Sequence, residues 1–178
     1  IRGGSATVHF PIWHQEIEDI IVLKNNKGTQ DNRVRKLDYS IQLSALFYQR
    51  FIEAGEITLF SPHSVPGLYD AFGTEYFDEL YVRYENDPSI PKKKIDAQEL
   101  ILDLLKERGE TGRIYLMNID HCNSHSSFKD KVSMSNLCQE ITLPTDPIEH
   151  IDGDGEIALC ILSAINVGKI NRLDELDE

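Results

Sequence analysis

The chain has 178 residues, 30 of them acidic and 18 basic, for a formal net charge of −12 and a pI near 4.9. That balance excludes nucleic acid as the default partner, since neutralising phosphates takes a concentrated basic patch, and the one basic run, Lys92-Lys93-Lys94, runs into Asp96, Glu99 and Asp103 and reads as a solvated helix start. With 40% hydrophobic and 27% charged residues the composition is that of a folded chain, and its longest aliphatic stretch, Ile20 to Leu23, is far short of the roughly 20 residues of a bilayer span.

Trp13, Ile17, Ile20 and Ile21 fall on one helical stripe, with Pro11 suited to the first turn and Gly28 to a left-handed stop. A second helical period runs through Ile41, Ala45, Tyr48 and Ile52 to Gly55 and feeds a short buried strand at 57–60. Pro62, Pro66 and Gly67 mark a loop, after which Thr74 is placed to cap a helix with Phe77, Leu80, Tyr81 and Tyr84 on its inner face. The same order recurs as a helix through Ala97, Leu100, Ile101, Leu104 and Leu105 followed by a strand at 113–118. Two more strands are predicted at 140–143 and 156–162, around a loop rich in Pro, Asp and Gly at 144–155, and 171–178 resembles the opening of another helix. Helices alternating with short apolar strands argue for parallel α/β architecture.

Three segments carry groups capable of chemistry. His121, Cys122 and His125 lie within five residues, but a structural zinc site needs a second ligand pair at comparable spacing and none is present, so a polar turn with hydrogen-bonded histidines is the reading of 120–125. Asn136, Cys138 and Glu140 alternate, which in an extended segment sends an amide, a thiol and a carboxylate to one side. Cys160 ends a wholly apolar strand; it fits a small buried hydrophobe, and it also fits the site face to which parallel strands deliver their carboxyl ends. Cys122, Cys138 and Cys160 form an odd set with no C-x-x-C pair, which suits a reducing compartment. Neither phosphate-loop pattern nor a G-x-S-x-G elbow occurs.

The string Ser135-Asn136-Leu137-Cys138-Gln139-Glu140-Ile141, followed by Gly155-Glu156-Ile157-Ala158-Leu159-Cys160, closely resembles the catalytic subunit of class I ribonucleotide reductases of bacterial or bacteriophage type. Arg2-Gly3-Gly4, Pro11-Ile12-Trp13-His14, Leu23-Lys24-Asn25-Asn26, Phe60-Ser61-Pro62-His63, the stretch from Val65 to Phe72 and Thr111-Gly112-Arg113-Ile114-Tyr115 extend the likeness, in order, over essentially the whole chain.

The resemblance implies an α/β barrel of two parallel half-barrels with a finger loop, about 133–140 here, reaching into its middle, and this chain as an incomplete internal fragment, 1–178, of that domain. It implies that Cys138 is the thiyl-radical residue that abstracts the ribose 3′ hydrogen, that Glu140 takes the 3′-hydroxyl proton and that Asn136 holds the ribose hydroxyls. Leu137, Gln139 and Gly3 would join the substrate contacts, Arg2-Gly3-Gly4 the loop that links an effector nucleotide to substrate choice, and Cys160 the pair of cysteines that reduces the 2′ position. The second cysteine of that pair lies outside the chain, and Cys122 does not match it. No cofactor or metal is expected to be bound by this chain itself. The radical would come from a metal-containing small subunit, regulation from ATP and deoxynucleotides, and reducing equivalents from thioredoxin or glutaredoxin. The substrate would be a ribonucleoside diphosphate and the full-length chain a cytoplasmic homodimer, with neither nucleic acid nor membrane as partner, and the isolated piece inactive. The alternatives are an adenosylcobalamin-dependent reductase, which shares the Asn-x-Cys-x-Glu finger, and a non-catalytic scaffold.

Overall fold

The computed structural model describes residues 4–27, 29, 33–148, 150, 152–153, 155–156 and 166. The chain divides into two compact units, Ile1–Thr145 and Asp146–Glu178, each taken by itself.

In the first unit, β1 (Thr7–Pro11), β2 (Asp38–Leu43) and β5 (Ile114–Asn118) form a parallel sheet in the order β1-β2-β5. His9 is in register with Ser40 and Ser40 with Tyr115; Pro11 pairs with Gln42 and Gln42 with Met117. Along β2 the side chains alternate. Ile41 and Leu43 enter the apolar core, whereas Ser40 and Gln42, equally buried, face the other way and need polar partners.

A second, antiparallel sheet joins β3 (Glu56–Phe60) to β4 (Lys92–Asp96). The end of β3 is tied to the segment after β1: the Phe60 amide donates to the Trp13 carbonyl and the Gln15 amide to the Phe60 carbonyl, each at 2.8 Å.

Helices α1 (Ile17–Ile21), α2 (Ala45–Ile52), α3 (Leu68–Ala71), α4 (Phe77–Asn86), α5 (Ala97–Thr111) and α6 (Ile119–Ser124) fill the connections. The Asp96 carboxylate starts α5 by accepting from the Glu99 amide at 2.9 Å, and Gly112 stops it in the left-handed region at φ 64. Trp13, Phe47, Phe60, Phe72, Phe77 and Tyr81 meet in one aromatic cluster, with Phe72 and Phe77 4.6 Å apart. Two polar pairs hold the exit of α1: buried Lys24 binds Asp38 on β2, and the Asn25 amide donates to both Glu107 oxygens on α5, at 2.8 and 2.6 Å.

Several expectations are corrected. The helix anticipated from Trp13 begins only at Ile17, and Pro11 closes β1. Ile41 belongs to β2: the alternation of Tyr39, Ile41 and Leu43 overrides the helical spacing, and extended Ser44 separates strand from helix. Lys92-Lys93-Lys94 is strand. Lys93 pairs with Glu18, Lys94 with Glu56 at 3.0 Å, and the Lys92 ammonium donates to the Tyr84, Glu85 and Asp87 carbonyls at the end of α4, where a cation offsets the helix dipole. The Thr74 hydroxyl donates backward to the Ala71 carbonyl and caps nothing. Residues 119–124 are helix, not turn. Segment 141–148 joins no strand ladder among the described residues. Parallel pairing holds for β1-β2-β5 but not for β3 and β4. The strand expected from 157, Cys160 with it, the stop at Gly28 and the terminal helix lie outside the described residues.

In the second unit the Gly153 amide donates to the His150 carbonyl at 2.9 Å and the Glu156 amide to the Asp146 carbonyl at 3.0 Å, which makes a turn within the anticipated loop. The architecture is mixed α/β, and the described strands form no closed barrel. No helix among the described residues is long and apolar enough to cross a membrane.

Candidate active site

Segment 132–141 crosses the polar face of the parallel sheet and is held there by its main chain. The Gln42 amide donates to the Ser133 carbonyl at 2.7 Å, the His9 ring lies 3.0 Å from the Ser135 carbonyl, and the Thr7 hydroxyl donates to the Leu137 carbonyl at 2.6 Å. Carbonyls two residues apart in the segment thus meet side chains two residues apart on β1, with Gln42 standing beside Pro11 on β2 as the next rung. The segment runs opposite in direction to β1.

Its entrance is fixed from α6. Asn123 imitates a strand neighbour: its side-chain carbonyl accepts from the Val132 amide at 2.8 Å and its amide donates to the Val132 carbonyl at 3.0 Å. Asn123 fits because Gly73, at φ +88, has no side chain; a Cβ there would lie 2.8 Å from Ile119 Cγ1 and 2.9 Å from Asn123 Nδ2.

Past Leu137 the chain turns. The Gln139 amide donates to the Asn136 carbonyl at 3.1 Å, Gln139 sits at φ 62, and the Asn136 side-chain oxygen accepts from the Ile141 amide at 3.0 Å and from the Ser135 hydroxyl at 3.2 Å. The extended geometry assumed for Asn136, Cys138 and Glu140 is therefore replaced by a turn. Asn136 is half-buried and spends its side-chain carbonyl on the loop itself, and its amide has no partner among the described residues. Cys138 and Glu140 are exposed, the first a free thiol, and Leu137 is also on the surface. Gly4 is exposed and a Cβ there would meet nothing, so packing does not demand glycine. Arg2, Gly3 and Cys160 lie outside the described residues.

Beside the turn, at the carboxyl end of β5, a depression of about 320 Å³ is lined by Gln139 and Thr142 together with His121 and Cys122. Burial, and secondly Asp120, pushes the Cys122 thiol up and keeps it protonated. His121 and His125 sit a turn apart, the His125 ring within 3.0 Å of the His121 carbonyl, and among the described residues no group of three His, Cys, Asp or Glu side chains is placed to hold a metal. Burial lowers the His9 pKa, the Ser135 carbonyl opposing.

Sequence reasoning singled out the turn but missed what carries it: Thr7, His9, Ser40, Gln42, Gly73 and Asn123. The signal was present in part. Polar residues at 7 and 9 and at 40 and 42 alternate with apolar ones, the mark of a strand whose second face has polar work to do.

A model of the family described as "Ribonucleotide reductase, barrel domain" matches residues 1–178. The chain is 58% identical over 180 residues to the ribonucleoside-diphosphate reductase subunit alpha of Haemophilus influenzae, an overlap covering 98% of this chain and 24% of that protein. It is 45% identical over 190 residues to the subunit alpha of Enterobacteria phage T4, covering 99% of this chain and 25% of that protein, and 35% identical over 173 residues to the large subunit of Dictyostelium discoideum, covering 96% and 19%. It spans about a quarter of the length of the first two relatives and less of the third. With the match running from its first residue to its last, the chain belongs to the ribonucleotide reductase family, within the barrel domain.

Proposed function

We propose that the protein containing this chain is the catalytic subunit of a ribonucleoside-diphosphate reductase, and that segment 133–140 is its finger loop within a barrel of two parallel half-barrels. The observation that carries the reading is an exposed free thiol, Cys138, on a turn clamped to a parallel sheet, in a chain matched along its whole length by this family.

In that reading a sulfur radical at Cys138, generated with the help of a metal-containing small subunit, takes the 3′ hydrogen of the ribose and becomes a thiol. Glu140 accepts the 3′-hydroxyl proton, and the 2′-hydroxyl leaves as water once protonated. Cys160 and a second thiol give up two electrons and two protons and end as a disulfide; the 3′ hydrogen then returns from Cys138 and restores the radical. One diphosphate and two thiols become one deoxynucleoside diphosphate, water and a disulfide, which thioredoxin or glutaredoxin resets. Asn136 offers its free amide to the ribose hydroxyls, Leu137 and Gln139 line the substrate with Gly3, and Arg2-Gly3-Gly4 passes the state of an ATP or deoxynucleotide effector to the base. Two such chains pair as a cytoplasmic homodimer.

A radical must be kept from water. The described residues leave Cys138 exposed, so in this reading the remainder of the barrel closes over it. The relatives' names, diphosphate reductases with a subunit alpha, favour this reading over an adenosylcobalamin-dependent enzyme or a scaffold. The test is Cys138→Ser in the full-length protein: deoxynucleotide formation is abolished while diphosphate binding is retained, because an O–H bond is too strong for reversible radical formation. Turnover by that variant would overturn the assignment.

A further inference from the structure

Gln139 stands between the two exposed groups and is itself half-buried. Its side-chain oxygen accepts from the Ser40 hydroxyl at 2.7 Å, and its amide donates to the Leu116 carbonyl at 2.9 Å, so one amide spans β2 and β5. Its backbone is left-handed, at φ 62, a conformation shared among the described non-glycine residues only by Ala54. Glycine is the default there, and another residue persists only where its surroundings over-determine it. The two side-chain bonds are that determination. They fix the backbone on which Cys138 and Glu140 are the flanking residues.

We propose that Gln139 is a positioning residue: the Ser40–Gln139–Leu116 latch sets the turn that presents the Cys138 thiol and the Glu140 carboxylate to the substrate. The proposal rests on the reading of Cys138 given above. Hydrogen abstraction requires sulfur and hydrogen at contact, and a misplacement of about 1 Å is enough to cost on the order of a hundredfold in rate. The side-chain amide is spent on Ser40 and Leu116, so Gln139 lines the substrate with its main chain, which Gln139→Gly keeps, and the effect of the latch falls on the chemical step and on the fate of intermediates, not on binding.

The test uses the full-length protein with its radical-generating partner. Gln139→Gly keeps the left-handed backbone and removes both side-chain bonds; Ser40→Ala removes one hydroxyl and leaves the chain otherwise intact. Gln139→Gly is expected to lower kcat about tenfold, with KM for the diphosphate changed less than about twofold, and to raise the free base released per deoxynucleotide formed. Ser40→Ala lowers kcat by less and adds nothing in the Gln139→Gly background. Wild-type kcat and product ratio in Gln139→Gly, or losses that add in the double variant, would overturn the latch. Cys138→Ser run alongside separates the two ideas: turnover by that variant overturns the radical reading itself, whereas a dead Cys138→Ser beside a fully active Gln139→Gly overturns the latch alone.

Discussion

His9 holds Ser135 through one ring nitrogen, which faces both the carbonyl at 3.0 Å and the amide at 3.4 Å, while the other nitrogen is buried with no partner among the described residues. Protonation would put a donor into that unpartnered site, consistent with a pKa that burial holds below the ordinary 6.5. Between the depressed folded value and 6.5 the unfolded chain binds more protons, so stability rises with pH across that window. The contribution is complete above 6.5 and is lost as pH falls through the folded value. His9→Gln keeps a donor for the Ser135 carbonyl and cannot titrate, so a series of melting temperatures below pH 6.5 flattens in that variant. The slope that remains belongs partly to His14, whose pKa burial also lowers. At Gly73 a methyl group meets Ile119 and Asn123 and the backbone is left-handed. Gly73→Ala is therefore expected to cost about 1–3 kcal/mol and to free the Val132 amide, which hydrogen exchange reads directly. On the roles proposed for Glu140 and Cys160, Glu140→Gln in the full-length protein is expected to slow loss of the 2′-hydroxyl and stall early, whereas Cys160→Ser is expected to begin the reaction and then release base. Identical product distributions from the two would show that the division of roles is wrong.

At the scale of elements, α4 is joined to β3 at Thr58, whose hydroxyl donates to Glu85 and whose main chain is bridged by Tyr81. The Tyr81 phenol donates to the Thr58 carbonyl at 2.8 Å and accepts from the Thr58 amide at 2.7 Å, standing where a neighbouring strand would; burial drives its pKa far up, so it stays protonated and able to donate. Arg50 on α2 braces the junction with a two-pronged contact to Glu85, at 2.9 and 2.6 Å. Tyr81→Phe keeps the ring but leaves a buried N–H and C=O without partners, an expected loss of about 1–3 kcal/mol, seen as a lower urea midpoint and faster exchange at the Thr58 amide. Helices α2, α4 and α5 and strands β3 and β5 were legible because each of those helices presents one apolar face and ends near a glycine or proline. β1 and β2 were not. Their polar residues face another segment far along the chain, and Ile41 also fits a helical spacing with Ala45, so local periodicity could not separate strand from helix. β4 escaped for a related reason: three lysines carry no apolar alternation, and its pairing to β3 is a tertiary fact.

At the scale of the molecule, the parallel sheet ends at β1 and β5, neither of which has an outer strand partner among the described residues. Open strand edges template further pairing. The 178-residue chain expressed alone is therefore expected to associate with increasing concentration in sedimentation experiments and to form no deoxynucleotide; a monomer at high concentration would count against this account of its edges. The likeness of its motifs placed the chain in its family and pointed to Cys138. The clamp around that residue was out of reach, because it depends on contacts between segments 91 to 130 residues apart.

The sheet grips segment 133–137 by carbonyl groups that every residue type possesses, at 133, 135 and 137. Exchanging the side chains of Met134 or Leu137 leaves those rungs in place, whatever it does to the surface shown to a ligand. Adding or deleting one residue between 133 and 137 moves each carbonyl out of phase with Gln42, His9 and Thr7. Length is thus what the clamp demands of this stretch, and in a library of variants read out by stability the rungs should survive substitution at Met134 but almost no change of count.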